Sequence, residues 1–185
     1  MEREALRSVQ QPLKERYRSE PDAALVTLRA EGELGEGVTC SVQTGRALVE
    51  AGLHPASGGG GLSACSGDML LQALVACAGV TMNSVATSME IPIDRGTVHA
   101  EGDLDFRGTM AVSKDAPVGF AAIRLRFDVE SSAAPEQLDR LVELTERYCV
   151  VYQTLLNAPP VSVSRSAVGD LGLARDYDRR QPDEP

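Results

Sequence analysis

The chain contains no tryptophan and few aromatic residues of any kind, so an interior of aliphatic side chains is expected. Its two histidines, His54 and His99, lie far apart, and no Cys-x-x-Cys pair occurs. These absences argue against a metal site and against a Ser-His-Asp catalytic arrangement. The remaining composition, 43% hydrophobic and 24% charged over 185 residues, is ordinary for one globular domain with an appended arm.

Positive charge is outweighed by negative charge: the formal net charge is −9, and no basic stripe occurs. This balance argues against nucleic acid and against an anionic membrane surface as partners. The N-terminal residues have scattered charges and no apolar run, so we expect no secretory signal. The longest apolar stretch, residues 69–82, is interrupted by Gln72 and is shorter than a membrane span. We therefore expect a cytoplasmic protein whose four cysteines form no structural disulfide frame.

The sequence pattern divides the chain into an arm, a domain and a tail. Residues 1–24 predict a polar helical arm in which Pro12 makes a kink, so that the arm depends on docking. Residues 25–168 form the domain, and the charged residues 169–185 predict a flexible acidic tail. Residues 25–33 and 38–49 have strand character, with a break near Gly45. The glycine-rich residues 54–66 lack the Lys-Ser/Thr pair of a phosphate-binding loop and predict a connector.

Two long apolar helices are predicted, and each carries one cysteine. The first, residues 67–89 behind Ser66 as N-cap, is apolar on nearly every side and must be buried in a core or a subunit interface. Cys77 lies near its middle. The second, residues 135–156 behind Ser132, has Cys149 on its apolar stripe. Alternation in residues 97–107 and 121–130 predicts an antiparallel strand pair between the helices, and residues 161–164 predict a final strand. The order β-β-β-α-β-β-α-β is that of an α+β fold.

The placement of these two cysteines suggests a redox pair. If the helices pack together, Cys77 and Cys149 can meet. A thiolate that attacks a peroxide becomes a sulfenic acid, and a second thiol condenses with it before it is oxidised further. The resulting disulfide requires a dithiol or a thioredoxin-like reductant. The alternative is that both cysteines are inert packing residues, since cysteine is among the most buried residue types.

Two motifs connect the chain to a known family. Residues 66–77, Ser-Gly-Asp-Met-Leu-Leu-Gln-Ala-Leu-Val-Ala-Cys, place an acid before an apolar, Ala-rich helix that leads to a cysteine. Residues 147–155, Arg-Tyr-Cys-Val-Val-Tyr-Gln-Thr-Leu, contain a cysteine followed by small or apolar residues. With the intervening hairpin and the terminal Pro-Val-Ser-Val segment, roughly residues 25–165 resemble the OsmC/Ohr family, the osmotically inducible and organic hydroperoxide resistance proteins.

The resemblance implies an OsmC-like α+β fold, with antiparallel sheets around two buried cysteine-bearing helices, in an intertwined homodimer with two interfacial active sites. It also implies a thiol-dependent peroxidase for organic hydroperoxides in oxidative-stress defence, without a cofactor. Cys77 is then the peroxidatic nucleophile and Cys149 the resolving thiol. In the family, an arginine from the N-terminal strands activates the first cysteine and is held by an acid that precedes the helix. Asp68 is the candidate acid, since Gly67 occupies the position ten residues before Cys77. Arg29 and Arg46 are the candidate arginines.

Other residues near the motifs have less specific interpretations. Tyr148 and Tyr152 flank Cys149 and are either core residues or the lining of an apolar channel. Glu146 raises the pKa of Cys149 if it is close, but a partly solvated glutamate on the helix flank is the simpler interpretation, and Cys40 and Cys65 are expected to be structural. The rival hypothesis is a non-enzymatic OsmC-like dimer that binds a hydrophobic small molecule at its interface. Sulfurs within bridging distance beside an arginine favour the enzyme, and sulfurs in purely apolar surroundings favour the binding protein.

Overall fold

A computed structural model describes residues 3–34, 40–42, 51–62 and 64–163. The helices are α1 (Arg3–Ser19), α2 (Ser66–Ser88), α3 (Phe106–Thr109), α4 (Pro135–Tyr148) and α5 (Val150–Leu156). The strands are β1 (Leu25–Leu34), β2 (Cys40–Val42), β3 (Ala51–Gly52), β4 (Ala64–Cys65), β5 (Arg95–Asp105) and β6 (Phe120–Glu130). Short 3-10 turns occur at Pro21–Ala24 and Pro55–Ser57. The α+β class predicted from the sequence is confirmed.

The main sheet has the strand order β2-β1-β5-β6, and all of its neighbouring strands are antiparallel. The predicted alternation holds in β5, where Val98 and Ala100 are fully buried. In the outer strand β6 the apolar face is only half-buried, and Ala121, expected to face inward, is exposed. Strands β3 and β4 form a separate parallel pair. The sheet therefore buries one face and leaves the charged face in solvent, as its period of two requires.

Helix α2 packs against β1, β5, α4 and α5, and so forms the centre of the domain. Its buried side includes Leu71, Leu74, Val75, Ala78 and Met82. The helix has the length and the hydropathy of a membrane span, but the core helices of soluble proteins have these properties too, and its contacts here are those of a core helix. Its cap differs from the prediction, because Cys65 is the N-cap and Ser66 is the first helical residue.

The second long helix, predicted as one element from 135 to 156, is broken at Cys149. Helix α4 ends at Tyr148, Cys149 has an extended backbone with φ −71° and ψ 108°, and α5 begins at Val150. In a continuous helix the N–H of Val150 would donate to the carbonyl oxygen of Glu146. That oxygen instead accepts from the Gln153 side-chain amide at 2.9 Å. The break therefore leaves the carbonyl satisfied and frees the first amides of α5 for other partners.

Smaller features of the predicted order are also corrected. Helix α4 begins at Pro135 behind Ala134, not behind Ser132. The short elements β4 and α3 are additional to the predicted order. Of the predicted final strand at residues 161–164, the structure describes residues 161–163, with a bridge at Val163, and residue 164 lies outside the described part.

The N-terminal arm docks on the domain and does not project from it. Helix α1 continues through Pro12 as one element. Tyr17 is only 2% exposed, and its hydroxyl donates to the carbonyl oxygen of Ala56 at 2.5 Å. It packs in a small core with Phe106 and Met110. We therefore expect α1 to depend on docking for its stability, because a buried tyrosine, and not the polar surface of the helix, attaches it to the domain.

Candidate functional site

The structure brings together the two cysteines of the long helices. Cys77 lies on α2 and is half-buried, whereas Cys149 is fully buried at the junction of α4 and α5. Cys77 packs against the main core cluster, to which Cys149 belongs. Both are free thiols, and their side chains share a hydrogen bond. Two sulfurs that are distant in the sequence therefore meet at the core, with one of them partly accessible.

The surroundings of Cys77 favour its thiolate. Burial raises the pKa of its thiol, but the backbone N–H groups of Val151 and Val150 lower it, together with the Cys149 thiol and the Thr81 hydroxyl, and the net pKa is lower than usual. The two amides are those freed by the break at Cys149, and they lie at the N-terminus of α5. Hydrogen bonds donated to the charged form stabilise that form. The activating groups described here are thus neutral donors.

Cys149 has the opposite character. Burial and the neighbouring Cys77 sulfur raise the pKa of its thiol, against the lowering effect of the N–H groups of Tyr152 and Val151, to a net value of about 11. The Cys149 thiol therefore keeps its proton and donates a hydrogen bond to the sulfur of Cys77. Because interacting thiols titrate as a pair, the contact separates their ionisation, and the more accessible sulfur is the first to lose its proton.

Comparison with known proteins identifies the family to which this fold and thiol pair belong. The family model "OsmC-like protein" matches residues 58–164, which is more than half of the chain. The chain belongs to the OsmC-like family. None of the curated proteins matches it.

Two solved structures are similar to this OsmC-like chain. One is an OsmC-like hydroperoxide resistance protein from Jannaschia sp. CCS1, with a TM-score of 0.56 and 16% identity over 83% of this chain and 99% of that one. The other is an OsmC-like protein from Mycoplasma pneumoniae, with a TM-score of 0.46 and 19% identity over 72% of this chain and 86% of that one. The first likeness supports the OsmC-like fold, and the family includes hydroperoxide resistance proteins.

Of the residues predicted to activate Cys77, the structure fully describes Asp68 but neither arginine side chain. Arg29 lies in β1 opposite Glu101, but its side chain is outside the described part of the structure, as is the whole of Arg46. Asp68 lies in the first turn of α2. Burial raises the pKa of Asp68, and the nearby His54 lowers it. Nine residues of helix separate Asp68 from Cys77, an axial distance of about 13 Å, so Asp68 is too far away for direct contact with that sulfur.

The two predicted pocket tyrosines line different concavities. Tyr148 is 58% exposed, which corrects its interpretation as a core residue. It lines the Thr81 groove, about 470 Å³, formed by Val80, Thr81, Ser84, Val85, Ser88, Met89, Leu144 and Tyr148. Tyr152 is half-buried and lines the Tyr152 groove, about 520 Å³, formed by Leu70, Leu74, Gly119, Phe120, Ala121, Ala122, Ile123, Leu125, Tyr152, Leu155 and Leu156.

Glu146 acts on Tyr152. Burial raises the pKa of the Tyr152 hydroxyl, and the charge of Glu146 raises it further. The raised pKa of Cys149 comes from burial and from the Cys77 sulfur, and not from Glu146. In the described residues, no three His, Cys, Asp or Glu side chains converge as metal ligands.

The remaining cysteines lie elsewhere. Cys65, the N-cap of α2, is half-buried and lines a third cavity of about 390 Å³ together with His54 and Phe106. Cys40 lies in β2, opposite Leu34 in β1.

The sequence interpretation missed the groups that hydrogen-bond to Cys77. Thr81 had a visible signal, because it follows Cys77 by four residues on one helix and so shares its face. Val150 and Val151 had none, since their amides reach the sulfur only through the break at Cys149. The role of Gln153, whose side-chain amide donates to the Glu146 carbonyl oxygen, likewise becomes visible only once the break is known.

Proposed function

We propose that this OsmC-like protein is a two-cysteine peroxidase that reduces organic hydroperoxides. The observation that carries the proposal is the hydrogen-bonded pair of thiols whose pKa values are moved apart, low at Cys77 and about 11 at Cys149. Such a split assigns one nucleophile and one protonated partner within a single contact. The family membership is consistent with this chemistry, since hydroperoxide resistance proteins belong to it.

The reaction proceeds in two steps, oxidation of Cys77 and formation of the disulfide. The Cys77 thiolate attacks the terminal oxygen of the hydroperoxide, the S–O bond forms as the O–O bond breaks, and the alkoxide takes a proton and leaves as an alcohol. Cys77 is now a sulfenic acid. The Cys149 sulfur attacks the Cys77 sulfur, the S–S bond forms as the S–O bond breaks, and the hydroxide leaves as water with the proton of the Cys149 thiol. The cysteine pair has lost the two electrons that the peroxide has gained.

An external reductant completes the cycle. A dithiol or a thioredoxin-like protein attacks the disulfide, and the half-buried Cys77 is the more accessible sulfur. We further propose a cytoplasmic homodimer that acts in oxidative-stress defence. Apolar side chains at the start of α2 that remain more than one-third exposed, Met69 and Leu70, support a subunit contact there.

Thiol counting by mass spectrometry tests the proposal. One equivalent of cumene hydroperoxide should remove two free thiols, and peptide mapping should find a Cys77–Cys149 bridge that a dithiol reverses. Cys77→Ser should abolish peroxide turnover. Cys149→Ser should allow one oxidation of Cys77 and then become inactive. Four free thiols after exposure, or repeated turnover by Cys77→Ser, would refute the peroxidase.

A binding function is the second candidate, and the Tyr152 groove is the observation that favours it. The groove is lined almost wholly by apolar side chains and has a volume suited to a small hydrophobic molecule. Under this hypothesis the cysteines only line the protein interior. Tight binding of a hydrophobic fluorescent probe, displaced by fatty acids, together with four unreacted thiols, would support binding over catalysis.

A further inference from the structure

Thr81 lies one helical turn beyond Cys77 on α2 and has two contacts of different kinds. Residues four positions apart on a helix share a face. The Thr81 hydroxyl forms a hydrogen bond with the sulfur of Cys77. The same side chain lines the Thr81 groove of about 470 Å³. Thr81 therefore contacts the thiol and also lines an open concavity.

The other donors to this sulfur have different positions. The groups from Val150 and Val151 are backbone amides at the start of α5, and the Cys149 side chain is fully buried. Of the donors to this sulfur, Thr81 is the one that also lines the Thr81 groove, so a peroxide in that groove meets its side chain. A donor on this side can hydrogen-bond first to the sulfur and then to the departing oxygen as negative charge develops on it. Preorganised dipoles lower a reaction barrier by stabilising developing charge in this way.

We propose that Thr81 is a further catalytic residue, whose hydroxyl hydrogen-bonds first to the Cys77 thiolate and then to the oxygen that leaves the peroxide. The inference rests on the proposed peroxidase function. The S–O bond forms while the O–O bond breaks, and Thr81 stabilises the alkoxide until water supplies its proton. The threonine keeps its own proton, because an unassisted hydroxyl is too weak an acid to give it up.

The chain supplies a matched control on the same helix. The hydroxyl of Thr87 donates to the backbone carbonyl oxygen of Asn83 at 2.8 Å, so Thr87→Val removes a similar group with no contact to sulfur. The test compares Thr81→Val, Thr81→Ser and Thr87→Val in the full chain. Thr81→Ala replaces Thr81→Val if the valine variant does not fold, as judged by circular dichroism.

Two reagents separate the two parts of the role. Alkylation by iodoacetamide requires the Cys77 thiolate but produces no alkoxide, whereas the first oxidation by cumene hydroperoxide produces one. Both rates are measured as a function of pH, with peptide mapping to confirm that Cys77 is the residue modified. At high pH Cys77 is fully ionised in every variant, and differences in thiolate fraction disappear.

For Thr81→Val, the midpoint of the alkylation profile should move to higher pH, and the alkaline plateau should equal or exceed that of the wild type, because a more basic thiolate is a better nucleophile. Oxidation by the hydroperoxide should remain about tenfold slower on its plateau, the factor typical of one lost hydrogen bond to a charged group. Thr81→Ser should restore both rates, and Thr87→Val should change neither.

Contrary outcomes are distinct. An unchanged alkylation midpoint in Thr81→Val would refute the contact with the thiolate. Oxidation that reaches the wild-type plateau would refute the contact with the leaving oxygen. A wild-type protein that does not react with hydroperoxide, while Thr81→Val still moves the alkylation midpoint, would overturn the proposed function and the catalytic role together and leave only the hydrogen bond to the thiolate.

Discussion

The Cys149 thiol donates a hydrogen bond to the sulfur of Cys77, although Cys77 lies in α2 and Cys149 lies in the break between α4 and α5. The donor is fully buried and the acceptor is half-buried. Burial keeps the proton on Cys149, and that proton stabilises the charge on Cys77. A single contact thus produces an unequal pair from two chemically identical side chains.

The first prediction concerns the pH dependence of the two thiols. Cys77 should be alkylated by iodoacetamide with a midpoint below that of an ordinary cysteine, because donors from α5 and Thr81 lower its pKa. Cys149, with its pKa at about 11, should stay unmodified over the whole range in which Cys77 titrates. Mass spectrometry of the separate peptides at each pH measures both. Equal labelling of the two cysteines at neutral pH would contradict the split.

Asp68→Asn should stabilise the protein at neutral pH. Burial raises the pKa of Asp68 in the folded state, so folding favours its protonated form. That contribution is present below the unfolded-state pKa, and it is lost as pH rises through the higher folded-state value. Thermal unfolding should therefore show a gain for Asp68→Asn at pH 7 and none at strongly acidic pH. Alkylation of Cys77 should not change, whereas slower alkylation would show that Asp68 takes part in activation.

Cys65 should take no part in a disulfide with Cys77 within one chain. Twelve residues separate them along α2 from its N-cap, an axial distance of about 18 Å, whereas the Cα atoms of a disulfide lie within about 7 Å. Cys65→Ser should therefore lose the same two thiols as the wild type when it is treated with cumene hydroperoxide. A wild-type peptide map containing a Cys65–Cys77 link would refute this prediction.

Tyr17→Phe should weaken the docking of α1. The Tyr17 hydroxyl is the donor to the Ala56 carbonyl oxygen, and the ring is buried. Loss of such a bond should lower the free energy of unfolding by about 1 kcal/mol, as measured by urea denaturation. Arg16→Gln is the control, since its ion pair with Glu20 is exposed and should contribute little. An equal loss in both variants would place the effect in the helix itself.

Much of the fold was predictable because its determinants are local. Val98 and Ala100 alternate with polar neighbours, and this period of two indicates a strand with one buried face. The apolar character of α2 predicted a helix in the core, although Met69, Leu70 and Val80 remain more than one-third exposed. The apolar stripe of the later helix predicted where Cys149 would face. Together they predicted that the sulfurs of Cys77 and Cys149 could meet.

The break at Cys149 was not predictable from local pattern. The residues on both sides continue a helical spacing, with no glycine or proline between them. The break depends on a distant sulfur that accepts from the amides of Val150 and Val151 and on Gln153, which satisfies the Glu146 carbonyl oxygen. Such tertiary partners cannot be read from helical periodicity. The expected arginine was likewise a family inference, whereas the groups described around Cys77 are amides, a thiol and a hydroxyl.

The break at Cys149 also makes α5 a reporter of the oxidation state. The amides of Val150 and Val151 have the Cys77 sulfur as their partner, and its thiolate form accepts from them most strongly, so the start of this seven-residue helix depends on the negative charge of that thiolate. When Cys77 is oxidised or alkylated, that charge disappears and the amides lose their strongest acceptor. Hydrogen–deuterium exchange at the start of α5 should then accelerate, which would make amide exchange a readout of sulfur chemistry in a chain without tryptophan.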